Sequence, residues 1–351
     1  MTLVAQAEKP AATAARSFIG IAPRAEAVVI PICALLAGFA LFSVFLLMVG
    51  KSPVAFYQLV WKAGFSSAFS WQNTLSRVAP LVLAALCVAL PARLGLVVIG
   101  GEGAIVLGGL AAAVAGTAVA GMPAAFGMVT MAIAAMIVGG VWIGAVGALR
   151  IKRGVNETIE GPFRDPASLN KPSTVPLTES LRVGDMPFLP SHWGILAGVL
   201  ACLFAWVLIE RTTLGFAARI AGDNVRAAQV QGLPVGRLVI GFTALGGAFA
   251  GLAGYFEVAA VHGSANASLI AGYGYTGILI AFLARHNPLA ILPVAVLFGG
   301  FEASSGLIQR RMELPDATIL VFEGIVFLVI LLSEALYGRV PIFTAAYWEK
   351  R

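Results

Sequence analysis

The chain has little charge. Only 11% of its 351 residues are Asp, Glu, Lys or Arg, against about 25% in a soluble domain. From Gly103 to Leu149 there is no Asp, Glu, Lys, Arg or His at all, a run about twice the ~20 residues that cross a bilayer. Cysteine is scarce too. Cys33, Cys87 and Cys202 lie far apart inside apolar runs, a spacing that suits neither a disulfide framework nor a metal site and reads as buried, inert thiols. No G-x-x-x-x-G-K-[ST] occurs, which excludes ATP binding through a P-loop. H-E-x-x-H and G-x-S-x-G do not occur either. No catalytic residue, metal or cofactor is expected, and no stretch interleaves basic and aromatic residues as a nucleic-acid site would.

What fills the chain instead is apolar: 59% hydrophobic residues and a mean hydropathy of +0.92. The apolar runs fall at 27–49, 73–92, 94–120, 123–149, 194–209, 237–261, 268–284, 288–308 and 317–336. These nine candidate spans predict an all-α polytopic transmembrane helix bundle. Gly246, Gly247, Gly251 and Gly254 in one run, and Gly108, Gly109 and Ala113 in another, have the spacing that lets membrane helices approach closely. The first 26 residues are polar and lead into a full-length apolar run, which reads as a retained first helix with no cleavable signal. Residues 1–26 are expected as a cytoplasmic tail, 27–337 as the membrane domain and 338–351 as a second tail.

The net charge of +6 is clustered at the ends of apolar runs, as the positive-inside rule requires. Lys9, Arg16 and Arg24 place the N-terminus inside; Arg339, Lys350 and Arg351 do the same for the C-terminus. Two inside termini need an even number of spans, and nine is odd. The conflict is local. Arg150, Lys152 and Arg153 mark an inside point, and so does the basic segment 211–237. Only one apolar run, 194–209, lies between them. The stretch 160–193, with Pro162, Pro166, Pro172, Pro176, Pro187 and Pro190, reads as a loop.

Segment 211–237 is the most informative. Leu214, Ala217, Ala218 and Ala221 alternate helically with Arg211 and Arg219. Asp223 or Asn224 can cap a second short helix over 225–231, Gly232 can stop it, and Pro234 prevents continuation. The segment resembles the cytoplasmic coupling loop of ABC importer permeases of the ribose, nucleoside and branched-chain amino acid group, closest to simple-sugar and nucleoside permeases. The match is carried by Gly215, Arg219, Gly222, Asn224, Ala227, Ala228 and Gly232. Four further stretches resemble the same family. They are Gly95 to Ala104 around Glu102, Gly154–Asn156–Glu157–Ile159, Gly274 to Leu289, and Leu320 to Leu332 around Glu323.

The resemblance implies a permease subunit, not an enzyme, that passes a small polar solute such as a nucleoside or simple sugar across the inner membrane. It implies a separate ATPase docking on 211–237, a second permease subunit and a periplasmic or lipoprotein binding protein meeting an outer loop at 160–193, all in a setting of membrane lipid. In that family the G-x-N-E-x-I motif leads into a further span. Here Ile159 runs straight into Glu160-Gly161-Pro162, so a span is expected to be missing after Ile159, and the family would have about ten. Alternatively the 123–149 or 194–209 run re-enters without crossing.

Glu102, Asn156 and Glu157 are the candidate pathway residues. For each there is a plainer role: Glu102 hydrogen-bonding a helix break, Glu157 pairing with Arg150–Arg153. Glu257, Glu302 and Glu323 either serve the pathway or are neutralised by partners. His286 and His262 read as ordinary turn residues. Two other functions stay open: an ion-coupled secondary transporter using the intramembrane carboxylates, and a permease damaged by its lost span.

Overall fold

A computed structural model describes residues 9–152, 173–187, 191–315 and 317–335. Twelve α-helices follow in chain order: α1 (Lys9–Met48), α2 (Pro53–Gly64), α3 (Ala68–Ala92), α4 (Gly101–Ala118), α5 (Ala124–Lys152), α6 (Gly194–Arg211), α7 (Thr213–Asp223), α8 (Val225–Val230), α9 (Val235–Phe256), α10 (Tyr273–Leu283), α11 (Pro288–Met312) and α12 (Ala317–Glu334). Among the described residues, eight helices are long and apolar enough to cross a membrane. The ninth expected span, 268–284, is instead a shorter apolar piece, Ala267–Leu283. Left-handed Gly272, φ +87°, turns the chain immediately before α10. α2 carries only twelve residues and was not expected as an element.

The chain divides into two compact units. The first takes the two ends, within Met1–Val54 and Pro315–Arg351. There α1 packs on α12. A side chain at Gly38 would press on Val326, so its absence lets the two helices close. Phe42 meets Phe322 edge-on at 5.2 Å between ring centres, a favourable aromatic arrangement. α1 extends through most of the residues expected as a polar tail, and the apolar span within it is Val28–Met48. Cys33 is exposed on α1, which corrects the expectation of three buried thiols; Cys87 and Cys202 are buried.

The second unit, Ala55–Leu314, is built around α3 and α9. α3 is buried along almost its whole length from Val78 to Pro91, and the Ser67 hydroxyl caps its first turn. α9 is glycine-rich because three helices touch its backbone. A Cβ on Gly246 would stand 2.7 Å from the Cys87 carbonyl of α3. Gly254 faces the Ile105 carbonyl of α4, while Gly247 and Gly251 face Gly139 and Ala135 of α5. Close approach of this kind is what small residues allow between helices in lipid.

α5 runs antiparallel to α9, since Gly144 meets Ala244 while Ala135 meets Gly251. Lys152 therefore lies towards the end of the unit where α9 starts, next to α7 and α8. The described part of the proline-rich loop is fastened at the other end. Thr174 N–H donates to the Ala265 carbonyl (2.8 Å), Leu177 N–H to Gly263 (2.8 Å) and Val183 N–H to Ala259 (2.9 Å). The chain is thus at one end of the bundle at Lys152 and at the opposite end by Ser173. The expectation that an apolar run next to this loop would fail to cross finds no support in α5 or α6, both long enough to span. The expected junction at Ile159–Glu160 lies outside the described residues.

Candidate functional site

α7 and α8 form a two-helix knob whose shape follows from a few residues. Thr212 closes α6 and opens α7, its hydroxyl accepting the Gly215 N–H at 3.2 Å. Gly215 sits where any side chain would enter the Leu208 and Ile209 carbonyls. Asn224, not Asp223, is the shared cap: it ends α7, and its Oδ1 accepts the Ala227 N–H at 3.0 Å to start α8. Gly232, at φ +77°, takes the left-handed turn that stops α8. Ala217, Ala218, Ala221 and Ala228 are buried beneath the knob. Arg219 reaches back to Glu210 with an ion pair of 2.8 Å.

The knob bears on the end of α3. A side chain on Gly222 would collide with the Arg93 carbonyl. The Arg93 guanidinium in turn donates to the His286 carbonyl at 2.9 Å, joining the turn between α10 and α11. Burial lowers the Arg93 pKa, with Arg219 adding to the effect and Glu210 opposing it. The His286 imidazole, packed edge-on against Phe282, is pushed down to about 4 by burial and then by the charges of Arg93 and Arg285. His286 is therefore a half-buried neutral residue and not the exposed turn residue expected. The outward face of the knob is apolar. Val230 is 89% exposed, Phe216 60% and Leu214 54%, with Val225 beside them. Exposed apolar patches rimmed by polar groups mark interaction sites.

A second cluster lies towards the other end of the same unit. Glu257 on the π-helical turn Glu257–His262 is 2% exposed, and its carboxylate is 3.4 Å from His262 Nε2. Arg77 of α3 approaches Glu302 of α11 at 3.9 Å, with the buried Tyr273 of α10 close to both. π turns inside α-helices concentrate at functional sites. Ionisable groups at membrane depth usually face one another or a pathway. His192 stands nearby at the start of α6. Its Nε2 is within 3.2 Å of the Ser76 carbonyl and its Nδ1 accepts the Gly194 N–H. Burial lowers its pKa.

Comparison with known proteins fits this architecture. Residues 155–331 match the family described as the permease component of the branched-chain amino acid transport system. The chain is 30% identical over 334 residues to a glucose ABC transporter permease protein, TsgB13, of Haloferax volcanii, covering 87% of each chain. The chain belongs to this permease family. It is also 28% identical over 346 residues to the guanosine ABC transporter permease protein NupP of Bacillus subtilis, covering 89% of this chain and 95% of the relative. A nucleoside ABC transporter permease protein, NupB of Lactococcus lactis, is 23% identical over 335 residues, covering 86% of this chain and 92% of the relative. No solved structure matches significantly. The protein is a multi-pass inner-membrane permease subunit of an ABC importer, a transport protein that works with an ATPase and a substrate-binding protein.

The permease's expected site residues separate into groups. Gly215, Arg219, Gly222, Asn224, Ala227, Ala228 and Gly232 come together in the knob. Glu102 lies elsewhere, at the first turn of α4. Its two carboxylate oxygens accept the Gly272 N–H (2.9 Å) and the Gly274 N–H (2.6 Å). That places the carboxylate on the orphan donors at the N-terminus of α10, where a negative charge is favoured. Hydrogen-bonding this break is the plainer of the two roles expected of Glu102, and Gly274 has no room for a side chain against it. Asn156 and Glu157 lie outside the described residues. Glu323 is buried on α12 in the other unit. Sequence reasoning missed Arg77 and Tyr273. A lone arginine at the edge of an apolar run was the available signal for the first; nothing in its neighbourhood distinguished the second.

Proposed function

We propose that this permease passes a nucleoside or a simple sugar across the inner membrane, with α7 and α8 on the cytoplasmic side as the docking element for the ATPase. The observation that carries the docking is the knob itself. Its apolar residues Leu214, Phe216, Val225 and Val230 point outwards while its alanines and glycines are fixed against α6 and α3. A surface built this way is rigid underneath and adhesive on top. ATP-driven closure of the ATPases would move two such knobs, one on each of two permease subunits, and bias the path between outward and inward access. The fastened loop at 173–187 would then face outwards, as the outer part of the 160–193 segment that meets the binding protein, with both chain ends, 1–26 and 338–351, inside. The charge clusters and the antiparallel course of α5 and α9 support this orientation.

The solute class rests on the names of the relatives, a glucose and two nucleoside permeases. Arg77, Glu302, Tyr273, Glu257 and His262 are the polar groups proposed to line the path. Asn156 and Glu157 join them as candidates from the sequence, and Glu102 acts by holding α10 in place. Reconstitution with a cognate ATPase tests the docking. Phe216→Asp with Val230→Asp should abolish binding of the ATPase while leaving the permease folded and membrane-inserted. Retention of the ATPase by this double variant defeats the reading. The Glu257–His262 and Arg77–Glu302 pairs within the bundle favour a second reading, an ion-coupled transporter. Uptake driven by a proton gradient without ATP would select it.

A further inference from the structure

We infer that the face of α9 between α5 and α6 is the seat of one membrane-spanning helix that the described residues of Ala55–Leu314 do not supply. The inference needs no assumption about ATPase, solute or direction of transport. It starts from the neighbours of α9. α5 lies against Ala244, Gly247, Ala248 and Gly251, and α6 meets α9 through Phe204 on Phe249 and Gly194 on Phe256. At about 100° per residue, with Gly247 at zero, α5 is centred near about 50° and α6 near about 190°. Gly241, Leu245 and Leu252 fall between them, at about 120–160°.

None of these three is buried. A Cβ on Gly241 would meet nothing within 4 Å. Helices of equal width packed around a central one sit about 60° apart, at axis separations of about 8–10 Å. A gap of about 140° between α5 and α6 therefore holds one more helix, not two. At its far end the gap deepens into an apolar groove of about 490 Å³ lined by Met128 of α5, by Trp193, Leu196 and Leu200 at α6, and by Tyr255 and Phe256. From Gly241 to Leu252 the uncovered stripe is about 16 Å long at 1.5 Å per residue, about half of the ~30 Å hydrocarbon core, and the groove carries it on to the buried Tyr255 and Phe256.

The chain's course calls for the same helix. At Lys152 it is at the α7–α8 end, and at Ser173 it is at the opposite end. The twenty residues between, 153–172, include Arg153, Glu157, Glu160, Arg164, Asp165, Lys171 and three prolines. Lipid demands about 20 predominantly apolar residues with internally satisfied backbone groups. The gap therefore fits a single uncharged apolar helix, entering the sequence after Ile159 and crossing antiparallel to α5.

The test inserts a 20-residue Leu/Ala helix after Ile159, in a background whose native cysteines are replaced. One cysteine is placed at the centre of the insert. A second is placed at Leu252→Cys or, as a control, at Ile137→Cys on the outward side of α5. The expected results are a rise of several degrees in the unfolding midpoint in one fixed detergent, and cross-linking to position 252 at least tenfold over 137. A 20-residue Gly/Ser insert should give neither. Leu252→Trp should lower the midpoint of the apolar-insert chain but not that of the chain as it stands. A photo-reactive Leu/Ala peptide added to the unmodified chain in nanodiscs keeps the test independent of whether the insert folds. It should label the 241–252 stripe in preference to 137. Equal labelling of both positions, preferential capture of a photo-reactive phospholipid there in the presence of the peptide, or an unchanged midpoint with the insert, overturns the inference.

Discussion

α9 has two kinds of surface on one rod. On one side Gly246, Gly247, Gly251 and Gly254 are pressed against the backbones of α3, α5 and α4, with no space for a methyl group. On the other, Gly241 opens on nothing within 4 Å. The residue type is the same and so is the helix. The comparison teaches that a glycine in a membrane helix carries no fixed meaning: its neighbours decide whether it is a contact or a vacancy. The same contrast separates the two ends of the unit. The α7–α8 knob is fixed underneath by capped turns and glycine contacts. The α5–α6 gap has a floor and two walls, and no described residue of this unit covers it.

The largest effect should come from filling the closed face. Gly254→Leu forces a side chain into the Ile105 carbonyl and Gly109, and overpacking plus separation of the helices should cost about 3 kcal/mol or more. The chain should then fail to yield a single monodisperse species by size-exclusion chromatography. Gly241→Leu is the matching change on the open face, and its midpoint should stay within about 1 °C of the parent, as surface changes within about 0.5 kcal/mol do. Equal damage from both would dissolve the comparison.

Next in size is Gly222→Val. It should displace α7 from the end of α3, lower ATP-coupled uptake at least tenfold in proteoliposomes, and leave basal ATPase activity in place. Smaller again is Asn224→Ala, which removes the cap of α8 and should cost about 1 kcal/mol of local stability. Faster amide exchange confined to 225–231 would report it. An effect outside this ranking concerns pH. The folded His286 pKa, about 4, lies below the ordinary 6.5. The unfolded chain therefore binds the proton more readily, and stability should be full above pH 6.5 and fall as pH drops towards 4. His286→Asn should flatten that part of the pH–stability curve, and a curve that keeps its shape would remove His286 from the account.

Much of this was legible before any coordinates. Long uncharged runs can only be helices in lipid, so the bundle and most span boundaries were readable within a few residues. The knob was readable because turns leave chemical marks: a cap at Asn224, a stop at Gly232, a block at Pro234. The clash of sides between Arg150–Arg153 and 211–237 was readable because Lys and Arg mark one side. What stayed hidden depends on contacts distant in sequence. Nothing in Gly95–Ala104 states that Glu102 will cap a helix starting at Tyr273. Arg77, Glu302 and Tyr273 are 225 positions apart at the extremes and meet only once α3, α10 and α11 are packed. The 268–284 run misled because its hydropathy is that of a span, while Gly272 breaks it into a turn and an eleven-residue helix. The faces of α9 could not be told apart either, because a glycine pattern shows where helices can approach but not which of those places is taken.

Arg93 has a mechanical consequence. Its carbonyl is the surface on which Gly222 of α7 rests, and its side chain grips the His286 carbonyl in the turn that opens α11. One residue is thus both anvil and tie-rod. A thrust on the knob has no slack to take up at Gly222, and it arrives at α3 through a backbone atom and at the α10–α11 turn through a guanidinium. Lysine in that place would still carry the charge, but it could not keep the fork's fixed angle. Direction, more than force, is what such a joint transmits.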